Sequence, residues 1–230
     1  MSKVAVVTGA SRGIGRKISK ELADKGHHVV AVARSEQPLT ELANYHANIS
    51  AIPTDLTDQR DVDKLINQLE EDFNNIDILL NNAGSLINKT FSELTLEDWR
   101  SQLESNLISA VHITKKMLSL FSNNAHIVNI SSMGGFQGSA KFPGLAAYSV
   151  SKGALSILTE CLSVELSDKN IKANALCLGA VQTEMLEEAF PGMEAPVAAK
   201  EMGTYIANFA LEGSTFFNGK ILPVALQDPE

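Results

Sequence analysis

Two short segments of this 230-residue chain carry residue types that could do chemistry together. Tyr148-Ser-Val-Ser-Lys152 sets a phenol and an ammonium four residues apart, which on a helix places both on one face. A free phenol, with a pKa of about 10, is a poor base at neutral pH. A nearby ammonium favours the phenolate and is expected to lower that value. The second segment is Thr8-Gly9-Ala10-Ser11-Arg12-Gly13-Ile14-Gly15. Gly9 can take dihedrals that other residues avoid, and Gly13 has no side chain to block a diphosphate. Gly15 lets a following helix pack closely, and that helix would offer free N–H groups and a positive dipole end to the anion. A Tyr-x-x-x-Lys pair is common by chance, and a glycine cluster can be a plain tight turn. Their context decides between the readings.

That context alternates short β-branched runs with longer amphipathic ones. Strands are expected at Val4–Thr8, His28–Ala33, Ile49–Pro53, Ile76–Leu80, His126–Ser131, Ile171–Cys177 and Gly219–Ala225. Helices are expected at Gly15–Lys25, Glu36–Tyr45, Asp58–Asp72 and Ala147–Ser167, with shorter ones at Glu184–Ala189 and from Pro196 to about Ala210. Thr95-Leu-Glu-Asp98 reads as a capping box opening a long helix to about Phe121. The alternation implies an α/β fold: one doubly wound domain over 1–230 with a mostly parallel, seven-stranded sheet. Such sheets bind ligands beyond the carboxyl ends of their strands. The glycine turn, Asp55-Leu56, Asn81-Asn82-Ala83-Gly84, Ser131-Ser132 and Gly179 all follow strands.

Composition narrows the class. The net charge of −8 argues against a duplex nucleic-acid partner. No charged n-region precedes an apolar stretch, and no apolar run approaches a membrane span, so a cytoplasmic protein is expected. The five histidines show no metal-ligand spacing, and no metal site is expected. Cys161 and Cys177 sit in apolar segments without a C-x-x-C pair and read as buried structural thiols.

Thr-Gly-x-x-x-Gly-x-Gly at the first turn, Asn-Asn-Ala-Gly after the fourth strand and Tyr-x-x-x-Lys together resemble the single-domain branch of the short-chain dehydrogenase/reductase family. The similarity runs from the first motif to the last strand. It implies a Rossmann fold and hydride transfer between a nicotinamide dinucleotide and a small carbonyl or alcohol. It implies cofactor contacts from Gly9, Ser11, Arg12, Gly13, Ile14 and Gly15, from Asp55 and Leu56 at the adenine, and from Asn82, Ala83 and Gly84. Gly179, Val181 and Thr183 match the segment that meets the carboxamide and diphosphate. Tyr148 becomes the acid/base, with Lys152 on the nicotinamide ribose and Asn106 holding a relay water near the lysine. Ser132 would hydrogen-bond the substrate oxygen, with Ser131 the alternative.

Cofactor choice turns on the second strand. Where the family carries a ribose-binding acid, this chain has Ala33, followed by Arg34. Arg12 and Arg34 suit a 2′-phosphate, because a guanidinium makes forked, charge-assisted bonds to it. NADP(H) is therefore expected, and Glu36 keeps NAD(H) open. A dinucleotide-binding regulator without turnover is the competing class; it would need only the glycine turn.

Four features depart from the family pattern or extend it. Leu178 stands where a proline is usual, and Leu222-Pro223-Val224-Ala225 replaces the usual Asp-Gly-Gly. The substrate lid, about 184–195, is short and carries Glu184, Glu187, Glu188 and Glu194 without a cation. The helix around Val150–Leu166 is apolar over most of its circumference, which predicts a homodimer or homotetramer.

Overall fold

The computed structural model describes residues 2–226. The expected domain of 1–230 is thus seen except for residues 1 and 227–230, which lie outside the described residues. The strands are β1 Val4–Thr8, β2 His28–Ala33, β3 Ile49–Pro53, β4 Ile76–Asn81, β5 Phe121–Ser132, β6 Lys172–Leu178, β7 Val181–Gln182, β8 Val197–Ala198 and β9 Ile221–Val224. The helices are α1 Gly13–Asp24, α2 Glu36–Ala43, α3 Gln59–Asp72, α4 Leu96–Leu103, α5 Ser109–Lys116, α6 Ala146–Glu165, α7 Glu184–Ala189 and α8 Ala199–Glu212. Seven strands form one sheet in the order β3-β2-β1-β4-β5-β6-β9, and every neighbouring pair is parallel.

Both faces of this sheet are covered, which is why its strands are apolar at successive positions rather than alternate ones. Ala5 and Val7 of β1 pack on one side with Ile18 and Leu22 of α1 and Ile206 of α8. Val6 packs on the other with Val62 and Leu65 of α3 and Ile113 of α5. Each such fully buried valine, leucine or isoleucine contributes roughly 1.5–3 kcal/mol. Strand order reverses direction between β1 and β4, so a crevice opens beyond their carboxyl ends.

The structure differs from expectation around Phe121. The capping box is present: Thr95 Oγ1 accepts from the Asp98 N–H at 3.1 Å, and Asp98 accepts from the Thr95 N–H at 2.9 Å. The helix that follows is interrupted by a π-turn at Glu104–Ile108 and ends in a 3₁₀ turn at Met117–Ser119. Phe121 already belongs to β5, paired with Ile76. Between its pairs with β5, β4 advances two positions from Ile76 to Ile78 while β5 advances five from Phe121 to His126, so β5 enters irregularly, with Asn124 at φ 70°. Helix α8 starts at Ala199 rather than Pro196, because Glu201 accepts from the Ala198 N–H at 3.1 Å and fixes its first turn.

Candidate active site

The glycine turn is held from β4. Thr8 Oγ1 donates to the Leu80 carbonyl at 3.1 Å and accepts from the N–H groups of Asn82 and Ala83 at 2.9 and 3.0 Å. Asn82 Nδ2 donates back to the carbonyls of Thr8 and Gly9 at 2.9 and 3.3 Å. Gly9 and Gly13 have φ of 66° and 53°, a region other residues avoid. Any Cβ on Gly15 would collide with the Gly9 carbonyl, so that glycine serves helix packing and does not line the cleft. A Cβ on Gly13 would instead meet only Thr183 and Glu184, at 3.5 Å and beyond. The first turn of α1 holds no acidic residue of its own, and Glu184 of the lid stands across from Gly13.

One cleft of about 1550 Å³ runs from this turn to α6. Gly9, Ser11, Arg12, Gly13 and Ile14 line its start, with Ala33, Arg34, Asp55 and Leu56 beside them. Asn82, Ala83 and Gly84 form its floor, and Gly179, Val181 and Thr183 its far wall. Arg34 is exposed. Arg12 is paired with Glu188 of α7 through both guanidinium nitrogens, Nη1 to Oε1 and Nη2 to Oε2 at 3.2 Å. A dinucleotide fits these residues: Gly13 adds no side chain to the cradle, and the first turn of α1 brings no acid of its own.

Tyr148, in the first turn of α6, and Lys152, one turn on, line the same cleft beside Ser132. Lys152 is buried, and its Nζ donates to the Ile130 carbonyl at 2.8 Å. Burial lowers its pKa to about 8, against a smaller raising effect of Cys177. Burial also raises the Tyr148 phenol, opposed by a hydrogen bond with Ser132. The expected lowering of Tyr148 by the lysine is therefore not found: the ammonium is turned to Ile130, and desolvation dominates. A phenol raised in this way is protonated at neutral pH and is a proton donor.

The two serines separate. Ser131 is buried, donating to the Lys152 carbonyl at 2.8 Å and lying 3.0 Å from Ser156 Oγ, so it ties β5 to α6. Ser132 Oγ accepts from the Gly134 N–H at 3.1 Å, which leaves its hydroxyl proton for the cleft side, where Tyr148 stands. Asn106 lies behind the cleft wall in the π-turn. Its Oδ1 accepts from the Ser85 N–H at 2.8 Å, and its Nδ2 donates to the Ser85 carbonyl and Ser151 Oγ at 3.0 and 2.9 Å. π-Turns concentrate at functional sites.

Several residues of this shell escaped the sequence reading. Gln102 is fully buried, with Nε2 donating to Ser85 Oγ at 2.7 Å. Gln102, Asn106 and Ser109 are all buried and spaced by four and three, and that polar stripe on one helical face was a readable signal. Ser85, which holds the Asn106 cluster, carried no comparable mark, whereas Thr8 opens the first motif.

The lid is pinned at its base, where β7 pairs with β8. Thr183 caps α7 by accepting from the Leu186 N–H at 3.3 Å, and Asn88 Nδ2 holds the Ala189 carbonyl at 2.9 Å. Met185, Leu186, Phe190 and Met193 line the cleft, and so does Glu184. Leu178 is buried and paired with Val224, and the Gly179 N–H donates to the Val224 carbonyl at 3.0 Å. Pairing with β9 thus steadies the loop that lacks the proline.

Cys177 is buried as expected, but Cys161 is exposed. Cys161 lies on the outward side of α6, where Val150, Ile157 and Val164 are also exposed at seven-residue intervals. The opposite side, with Leu155, Ser156 and Thr159, faces the sheet. Among the described residues no group of His, Cys, Asp and Glu is placed to hold a metal, and no helix is long and apolar enough to cross a membrane.

The family model described as short chain dehydrogenase matches residues 3–194. An uncharacterized oxidoreductase of Staphylococcus epidermidis is 32% identical over 188 residues, 80% of each chain. Another, of Staphylococcus saprophyticus, is 31% identical over 223 residues, 94% of each chain. A 3-oxoacyl-[acyl-carrier-protein] reductase of Haemophilus influenzae is 29% identical over 235 residues, 96% of each chain. With the sheet order, the glycine turn and the Tyr148–Lys152 pair in place, this chain belongs to the short-chain dehydrogenase family of oxidoreductases.

Proposed function

We propose that this protein is an NADP(H)-dependent oxidoreductase that reduces small carbonyl compounds, with Tyr148 as the acid/base and the reverse reaction on alcohols. One observation carries the reading: Tyr148, Ser132 and Lys152 line the same cleft as the glycine turn, while Asn106 and Gln102 brace them from behind. A pure dinucleotide binder has no use for that second half. The nicotinamide, when bound, supplies or accepts the hydride. Ser132 turns its hydroxyl from Tyr148 to hydrogen-bond the substrate oxygen. Tyr148 delivers its phenolic proton to that oxygen, and in oxidation takes it back. An ammonium has three donors, and Lys152 uses one on Ile130. The others suit the ribose hydroxyls and resupply of the Tyr148 proton from the Asn106 side.

Tyr148→Phe tests the assignment. Turnover is expected to fall by about 10²–10⁴-fold, the usual worth of general acid–base catalysis, with NADPH binding nearly intact in a fluorescence titration. Lys152→Ala should harm both. A Tyr148→Phe protein with substantial turnover removes the phenol from the mechanism. Intact binding with no turnover by the wild type on any substrate favours the regulator instead.

Arg12 and Arg34 support NADP(H). Removing either is expected to weaken NADPH about ten- to a hundredfold and NADH little, since a hydrogen bond to a charged group contributes roughly 1.5–3 kcal/mol. Wild-type preference for NADH overturns this. Aldehydes, ketones, quinones and thioester-linked 3-keto acids are the substrate classes to screen, the last suggested by the Haemophilus relative's name. The exposed stripe of Val150, Ile157 and Val164 supports a homodimer, alone or within a homotetramer, formed through α6. A monomer in light scattering at micromolar concentration refutes it.

A further inference from the structure

We propose that Glu188 is a cofactor-selectivity residue: it occupies Arg12 across the mouth of the dinucleotide cleft, and the 2′-phosphate of NADP(H) must displace it. The inference rests on the NADP(H) reading above. An exposed ion pair is by itself unremarkable, since such pairs contribute little and break easily. Three observations set this one apart. First, it is forked, with both guanidinium nitrogens on both carboxylate oxygens, the geometry a phosphate would demand of the same guanidinium. Second, α7 is pinned independently of the pair. Thr183 caps its start, Asn88 holds the Ala189 carbonyl at its end, and β7–β8 closes its base. Glu188 is therefore presented to Arg12 by a fixed helix rather than meeting it by chance. Third, Arg12, Glu188 and Arg34 border one small cavity of about 310 Å³ between the lid and the turn. Within it, Arg34 pairs with no carboxylate among the described residues. One of the two arginines for the 2′-phosphate is thus committed to the lid and the other is not.

Two anions then compete for one guanidinium. NADPH carries the phosphate that competes, so its binding breaks this one tie between the lid and the turn. NADH has no such group and leaves the pair in place. Glu188 therefore acts through Arg12, and its effect falls on one cofactor only.

Glu188→Gln keeps the side-chain shape, removes the charge and lies at an exposed position, so folding is not at issue. Dissociation constants for NADPH and NADH are measured by fluorescence in the wild type, Glu188→Gln, Arg12→Ala and the double variant. Glu188→Gln should tighten NADPH by up to about fivefold, the factor an exposed ion pair corresponds to, and change NADH by less than about twofold. In the Arg12→Ala background the same substitution should change neither. An unshifted NADPH/NADH ratio in a wild type that prefers NADPH overturns the role of Glu188 alone. An unshifted ratio in a wild type that prefers NADH overturns both readings. A shifted ratio there supports Glu188 and overturns only the cofactor assignment.

Discussion

The Lys152 ammonium is bound to the Ile130 carbonyl of β5 at 2.8 Å, a neutral partner for a buried charge. Its pKa falls from 10.5 to about 8 because burial disfavours the charged form. The unfolded chain holds that proton more tightly, so the group destabilises the fold fully below about pH 8, and the penalty fades as pH rises towards 10.5. Lys152→Met is thus expected to stabilise the cofactor-free protein at pH 7 by about 1–2 kcal/mol, after allowing for the hydrogen bond Ile130 loses. At pH 10 the gain should nearly vanish. Urea midpoints at both pH values check it. A variant less stable than wild type at pH 7 shows that Lys152 is not held at a cost.

Gly84 is where the cofactor floor meets the shell behind Tyr148. A Cβ there would lie 2.6 Å from Asn106 Oδ1 and 3.3 Å from Lys152 Nζ. Asn106 would have to give up the Ser85 N–H to make room. Gly84→Ala is expected to cost about 1–3 kcal/mol of stability, as overpacking does. Turnover should fall by more than tenfold at a temperature where the variant remains folded. Thermal unfolding and kcat measured together check it; wild-type kcat would mean that the position of Asn106 is irrelevant to the chemistry.

His126 gives the fold a pH dependence of its own. Asn174 Nδ2 donates to its Nε2 at 3.0 Å, which leaves Nδ1 as the donor to the Ala210 carbonyl, also at 3.0 Å. This neutral ring pins α8 to β5 and β6. Burial lowers its pKa from 6.5 to about 4, opposed by the Ala210 bond. The unfolded chain takes up the proton first, so stability falls as pH drops from about 6.5 to 4 and levels off below. The loss from this group should approach roughly 3 kcal/mol. His126→Gln should be less stable at pH 7 but lose less on acidification, and denaturant midpoints across pH 4–7 for both proteins test that. Parallel curves would remove His126 as the source.

Much of this architecture could be read from the chain because its strands are buried on both faces. Val4–Thr8 and His28–Ala33 are apolar runs too short for helices, and each ends at a glycine or a basic residue where the cleft lies. The first motif named the cradle for the same reason: Gly9 and Gly13 are needed for their φ values, a local property that sequence records. What local signals could not give was the π-turn that turns Asn106 inward, since it adds one residue to a helical turn without a residue type of its own. The entry of β5 at Phe121 depends on its pairing with Ile76, and β7 and β8 are too short to show a period. Arg12 and Glu188 stand 176 positions apart, so their meeting is a product of the fold alone.

The lid's charge predicts which substrates enter. Glu188 is neutralised by Arg12, and neither Glu187 nor Glu194 lines the cleft. Glu184 does, facing Gly13, and no lid cation offsets it. Arg100 also lines the cleft, but Glu97 lies 3.8 Å away and cancels much of its charge. The rest of the lid's inner surface is Met185, Leu186, Phe190 and Met193. An apolar wall with one acid should disfavour an anionic substrate while shielding an apolar one. A short lid also covers little area, so it contributes little specific binding energy and excludes water poorly. Neutral, fairly apolar aldehydes and ketones are therefore expected to be reduced better than free keto acids, with high Michaelis constants and broad tolerance. The kcat/KM advantage over a carboxylated match should be at least about fivefold, or about 1 kcal/mol. Glu184→Gln should narrow it. Steady-state kinetics on matched neutral and carboxylated ketones decide the point: a preference for the carboxylated member would mean that the cations of the cleft, Lys152 and Arg100 among them, and not Glu184, set the field of the pocket.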